Sequence, residues 1–139
     1  MKTITLIITC LLSYQFSIAQ ADIQKTYTIT AKVPNVYEKS GTVIFALYTE
    51  ETFMKKPVDA TVTIPENGTA TATFTNVAPG IYAILVLHDK NENNQMDFAE
   101  NGMPLEPYGV SNNNMSFGPP QFSNAKFEVD KDLSLEIKF

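Results

Sequence analysis

The 139-residue chain contains no tryptophan and no arginine, a single histidine (His88) and a single cysteine (Cys10). Each shortage excludes something. With no arginine and a formal charge of −5, the chain lacks the basic stripe that tracks a phosphate backbone, so nucleic acid is not an expected partner. Anionic lipid surfaces are disfavoured on the same ground. Cys10 lies in the N-terminal apolar run, so the rest of the chain has no thiol. Disulfides, Cys-ligated metal and Cys nucleophiles are thereby excluded. A lipid anchor at Cys10 would want small residues just before it, where Ile7, Ile8 and Thr9 stand. One histidine leaves few acid–base constellations, and the lack of tryptophan removes the strongest stacking platform for a sugar. No window of a dozen residues carries a 3.6-residue apolar period.

The N-terminus reads as a targeting segment. Lys2 supplies the positive start, Ile4 to Phe16 are mostly apolar, and Ser17-Ile18-Ala19 places small residues ahead of a cleavage point before Gln20. Residues 1–19 are therefore expected to be a signal peptide and residues 20–139 one domain, exported to the periplasm or secreted. Nothing after the leader is apolar for long enough to span a bilayer, so no membrane insertion is expected once it is removed. Loss of Lys2 leaves 9 lysines against 15 acidic residues, a formal charge of −6.

The remainder alternates with period 2, the mark of half-buried strands. Tyr27, Ile29, Ala31 and Val33 form one stripe, with Thr26, Thr28, Thr30 and Lys32 opposite. In Val43 to Tyr48 and in Ile81 to His88 both faces are apolar, which predicts strands in the middle of a sheet. Asn67-Gly68 supplies the two positive-φ residues of a type I′ turn, so Ala60 to Ile64 and Thr69 to Thr75 are expected to pair as a hairpin. Two more strands follow, Ala125 to Val129 and Leu133 to Phe139, and Thr52 to Lys56 has room for one helical turn. About seven short strands at this spacing predict an all-β, antiparallel two-sheet sandwich of immunoglobulin-like or prealbumin-like type.

The stretch from Asp89 to Asn124 breaks the pattern. It is rich in Asn, Gly and Pro, yet it carries Phe98, Met103, Tyr108, Met115, Phe117 and Phe122, too many large apolar residues for a disordered tract. It is expected to be one long ordered loop folded onto the sandwich, of the length that usually serves a function. Its first dozen residues follow the D-x-[DN]-x-[DN] calcium pattern. Asp89, Asn91 and Asn93 alternate so as to point inward, Gln95 would ligate through its backbone carbonyl, Asp97 through water, and Glu100 would close the shell. Asn94 stands where such loops hold Gly, and Asn is the next residue to tolerate positive φ. Strand context before the loop and Pro104 after it argue against an EF-hand. The alternative is a polar, Asn-rich turn without metal.

From Gly41 onward the chain resembles the bacterial domain-of-unknown-function 2141 family. The resemblance rests on Gly41-Thr42-Val43, Phe45 to Tyr48, Pro79-Gly80-Ile81-Tyr82-Ala83, His88-Asp89 with Asn91, Asn93 and Asp97, Gly102 to Gly109, Ser111-Asn112-Asn113, and Phe117-Gly118-Pro119-Pro120 with Phe122 and Ala125. Departures are Asn94 in place of Gly and Val110 in place of an aromatic. The resemblance implies an exported prealbumin- or immunoglobulin-type sandwich without an established activity.

Three functional readings stay open. In the first, the protein is a binding or structural module: Ca2+ stiffens the loop, and His88, Glu106, Tyr108, Asn112, Asn113 and Phe117 form a surface for an unidentified protein, small molecule or glycan. Tyr108 and Phe117 are more readily read as anchors of the loop to the core than as stacking groups for a ligand. The second is carbohydrate recognition through aromatics and Asn amides. The third is a hydrolase using His88 with carboxylates such as Asp97 and Glu106, although Ser111 and Ser116 lie in no nucleophile motif. A lone histidine at a strand end is more often structural.

Overall fold

The computed structural model describes residues 24–38, 40–114 and 118–139. The expected signal peptide and Phe117 lie outside the described residues. The period-2 runs form eight strands: β1 (Tyr27–Pro34), β2 (Thr42–Tyr48), β3 (Asp59–Thr63), β4 (Thr69–Val77), β5 (Gly80–Asp89), β6 (Tyr108–Val110), β7 (Phe127–Val129) and β8 (Leu133–Glu136). They make two sheets, one ordered β4-β1-β8 and one ordered β3-β2-β5-β6, with β7 pairing to the first residues of β5. This is an all-β sandwich.

The core forms where the alternating stripes meet. Register pairs Val43 with His88, Phe45 with Val86 and Leu47 with Ile84, so these side chains share the inner face of the five-stranded sheet. They pack against Ile29, Ala31 and Val33 of β1 and Ala70, Ala72 and Phe74 of β4. Phe45 and Phe74 are fully buried. Each contributes roughly 1.5–3 kcal/mol from area removed from water.

Three features depart from the expected layout. The Asn67-Gly68 turn forms, with φ of 51° and 76° and both hydrogen bonds between Glu66 and Thr69, at 2.8 and 3.0 Å. The hairpin ladder does not extend beyond it. β3 pairs with β2 and β4 with β1, so this turn carries the chain from one sheet to the other. Pro65 has no N–H to continue a ladder into the turn. Likewise Asp130-Lys131-Asp132 crosses between sheets, and β8 lies parallel to β1, where all pairs were expected antiparallel. Asp132 Oδ1 pins that crossing by accepting the Thr28 N–H at 2.8 Å. Finally, the long loop is not strand-free. It contains β6, a 3-10 turn at Ser111–Asn113 and a one-turn helix, α1 (Phe122–Ala125).

β6 joins the edge of the five-stranded sheet, and α1 packs on that sheet's outer face. There Ala83, Val110 and Ala125 form a second, smaller core with Phe53, Leu85 and Phe122. Phe53 meets Tyr48 edge-on at 5.7 Å and Phe122 edge-on at 5.5 Å. Among the described residues this cover extends over one end of the outer face.

Candidate functional site

β5 delivers His88 and Asp89 to the edge of the sandwich, and Gly41 fixes how the chain leaves it. A Cβ on Gly41 would stand 2.2 Å from the Asp89 carbonyl oxygen and 2.6 Å from the Lys90 Cα, and its φ is 83°. Only glycine permits this approach of backbone to backbone. Asp89 is fully buried, and both of its carboxylate oxygens are used: Oδ1 accepts the Asn93 N–H at 3.2 Å and Oδ2 the Asn94 N–H at 2.6 Å. Asn91 and Asn93 each close a short Asx turn, on Asn93 N–H at 3.2 Å and on Gln95 N–H at 2.8 Å. The chain can turn this tightly because Glu92 and Asn94 sit at φ of 60° and 61°.

The other wall of the cluster is Asp97. Its Oδ2 accepts from Asn91 Nδ2 at 2.6 Å and its Oδ1 from Asn93 Nδ2 at 3.0 Å. Asp89, Asn91, Asn93 and Asp97 are thus joined in one hydrogen-bonded cluster, in which Asp89 is buried and Asn91 and Asn93 are exposed. A small hairpin then returns the chain, through Ala99 N–H to Met103 O at 2.8 Å and Leu105 N–H to Asp97 O at 2.9 Å. It places Glu106 beneath the loop. Glu106 is 6% exposed; its Oε1 accepts the Lys90 N–H at 2.8 Å and its Oε2 the Asp97 N–H at 3.3 Å. One carboxylate therefore clamps the two ends of the acidic loop. Local spacing gives no hint of this, because Glu106 lies nine residues past Asp97 and reaches it only through the hairpin.

Of the other residues expected to ligate, Gln95 keeps its side chain exposed and is held through its N–H. Glu100 stands exposed in the hairpin turn and, among the described residues, makes no hydrogen bond to the cluster; the carboxylate packed under the loop is Glu106. Among the described residues no three His, Cys, Asp or Glu side chains come together as a metal cluster. Any cation here would be held by two carboxylates, Asp89 and Asp97, and by amide and carbonyl oxygens.

The expected partner surface is redistributed. His88 and Glu106 are buried, at 2% and 6% exposure. His88 Nε2 lies 2.9 Å from the Ser40 carbonyl oxygen, and the ring stacks on Phe139 at 5.9 Å, contacts of a structural histidine. Asn112 and Asn113, both at positive φ, commit their amides to backbone: Asn112 Nδ2 donates to Lys126 O at 2.8 Å, Asn113 Nδ2 to Glu136 O at 2.9 Å, and Asn113 Oδ1 accepts the Lys138 N–H at 2.7 Å. They brace the C-terminal segment against the long loop. Ser111 is fully buried, accepting the Ile84 N–H at 3.0 Å and donating to the Ala125 carbonyl, so its hydroxyl is not poised as a nucleophile. Tyr108 remains half-buried on the outer face.

This chain of features, from the Gly41 contact through the Asp89 loop to the Ser-Asn-Asn turn, follows the motif order of one bacterial family. Residues 31–137 match the model of that family, described as "Uncharacterized protein conserved in bacteria (DUF2141)". The chain belongs to this family. No match to it was found among curated proteins or solved structures.

In this DUF2141 member the residues missed by sequence reasoning lie on the outer sheet face. Ile44, Ala46, Leu85 and Leu87, together with the expected Tyr108, border a cavity of about 620 Å³, flanked by Met96 and Phe98 of the acidic loop. Burial there pushes the Tyr48 phenol above its usual pKa. The signal was present in the two-sided apolarity of Val43 to Tyr48 and Ile81 to His88.

Proposed function

We propose that the protein is an exported β-sandwich binding module whose loop 89–106 is closed by a Ca2+ ion. The observation that supports this reading is that Asp97 accepts from the Asn91 and Asn93 amides while Asp89 accepts the Asn93 N–H, which joins the four residues in one loop. Residues 89–106 hold five carboxylates against one lysine, and that lysine, Lys90, directs its Nζ to Glu38 at 2.9 Å. A hard cation would relieve this imbalance, with Asp89 and Asp97 supplying charge and the Asn91 and Asn93 amides turning their oxygens inward. The Gln95 carbonyl would complete the set, as in other loops of this pattern. Oxygens that already accept a backbone N–H retain a second lone pair for the ion. Two formal charges make a weak site, suited to extracellular calcium, with Kd of about 10⁻⁴–10⁻³ M.

The ion's role in this reading is mechanical. It replaces two Asn–Asp hydrogen bonds by ligation and holds the loop as a rigid wall beside the sheet.

Thermal unfolding with about 10 mM CaCl2 against EDTA tests the proposal. At the Kd above, the ion adds about 1.4–2.7 kcal/mol. That raises Tm by roughly 5–10 °C for a domain of this size. Asp97→Asn removes one charge but leaves Asp89 and its buried hydrogen bonds intact, and it is expected to abolish the rise. No calcium-dependent heat and no Tm rise, or an equal rise in Asp97→Asn, would refute the ion.

A further inference from the structure

The outer face of an antiparallel sheet that does not pack on a core is ordinarily wet and polar. Here it is apolar along the two central strands. Register places Ile44 beside Leu87 and Ala46 beside Leu85, with Tyr108 next to Leu87 on β6. The helix α1 and Phe53 cover one end of this face. At the other end, Met96, Phe98 and Met103 of the acidic loop and its hairpin rise beside the strands. Between them is a cleft of about 620 Å³. That is within the range of roughly 300–1,000 Å³ typical of small-molecule sites.

Two properties of the cleft specify its occupant. Among the described residues no charged side chain lines it, in a protein with 25 Lys, Asp and Glu residues; its polar groups there are the Tyr48 and Tyr108 hydroxyls and the Asn94 and Gln95 amides. A buried carboxylate, phosphate or ammonium would find no counter-charge, and its desolvation would go uncompensated. The apolar rim is also unusually bare: Met54, Phe98 and Met103 are 53%, 60% and 62% exposed. Methionine and aromatic side chains adapt to irregular apolar shapes. The walls on either side make the site a cleft and not a flat patch for a second protein surface.

We infer that this cleft binds one uncharged small molecule with an apolar, chain-like or aromatic body and a single hydrogen-bonding group, its floor formed by Ile44, Leu85 and Leu87 and its wall by Met96 and Phe98. The inference names the ligand class of the binding module proposed above, and it is independent of the ion.

N-phenyl-1-naphthylamine, a neutral fluorophore, and anilinonaphthalene sulfonate, the same body with an anionic group, provide matched probes. Both are titrated into the purified protein expressed from the full chain, in EDTA, so that failure of the calcium reading leaves this result untouched. The neutral probe is expected to saturate one site, and the anionic one to bind at least tenfold more weakly, about 1.4 kcal/mol or more. Phe98→Glu changes an exposed wall residue whose replacement does not threaten folding, and it should weaken the neutral probe by about tenfold. Leu87→Lys places a charge on the floor and should abolish binding, with far-UV circular dichroism reporting whether the fold survives. Equal binding of the two probes, or affinity unchanged in Phe98→Glu, would overturn the inference. So would a concentration-dependent dimer that excludes the probe, which assigns the face to a second copy.

Discussion

Glu106 offers the sharpest test of how the loop is held, because its two oxygens serve the two ends of one segment. Removing the carboxylate in Glu106→Ala leaves the Lys90 and Asp97 N–H groups without their acceptor. Charge-assisted bonds of this kind contribute about 1.5–3 kcal/mol each. The Lys90 bond, at 2.8 Å, is near optimal, whereas the Asp97 bond, at 3.3 Å, is long and is weighted near or below the lower limit. The expected loss is therefore about 3–4 kcal/mol, a large fraction of the roughly 5–15 kcal/mol that stabilises a domain. Glu106→Gln keeps one acceptor and turns an NH2 toward the other N–H, so it should cost about half as much, roughly 1.5–2 kcal/mol. Equilibrium urea unfolding in EDTA reads both values, and the m-value should not change because the surface exposed on unfolding is the same. Amide hydrogen exchange at Lys90 and Asp97 supplies a local readout, expected to accelerate in both variants. If Glu106→Ala unfolds within about 1 kcal/mol of the parent, or if the Gln and Ala variants are equal, the clamp is not what holds the loop.

Two other expectations stand beside the calcium and probe titrations. Gly41→Ala drives a Cβ to 2.2 Å from the Asp89 carbonyl at a φ of 83°, so a loss of at least about 2–3 kcal/mol is expected in urea unfolding; a variant as stable as the parent would mean that the strand-to-loop crossing is not tight. Protein exported from a bacterial host after expression of the full chain should begin at Gln20 by N-terminal sequencing or intact mass, and a retained Met1 would remove the signal peptide.

The sandwich was legible because its strands alternate cleanly: Ile29, Ala31 and Val33, or Ala70, Ala72 and Phe74, carry an inside and an outside in their order alone. Sheet membership was not. Asn67-Gly68 fixes a local turn conformation, and a type I′ turn is normally the end of a ladder. Whether the ladder extends depends on partners far along the chain, and β1 and β2 capture β4 and β3 into different sheets. The same non-local competition hid the parallel β1–β8 pair. The loop shows the complementary limit. Alternation at Asp89, Asn91 and Asn93, and the positive φ needed at Asn94, are properties of consecutive residues and could be read directly. The role of Glu106 could not, since it depends on a hairpin whose bonds are between backbone groups, which any sequence carries.

The two-sided apolarity of β2 and β5 has two causes that a linear sequence superimposes. Being central in a sheet requires hydrogen-bonding partners on both edges; it does not by itself require apolar side chains on both faces. β2 and β5 are indeed central, between β3 and β6. Their second apolar face needs a separate explanation, and the cover given by α1 and Phe53 accounts for only part of it. The rest borders the cleft, whose wall includes Asn94, Gln95 and Met96 from the acidic loop itself. The backbone of Asn94 is fixed by Asp89, and that of Gln95 by Asn93. Asp89 and Asn93, which order the loop, therefore also hold part of the cleft's wall, and this ties the acidic segment to the apolar strands.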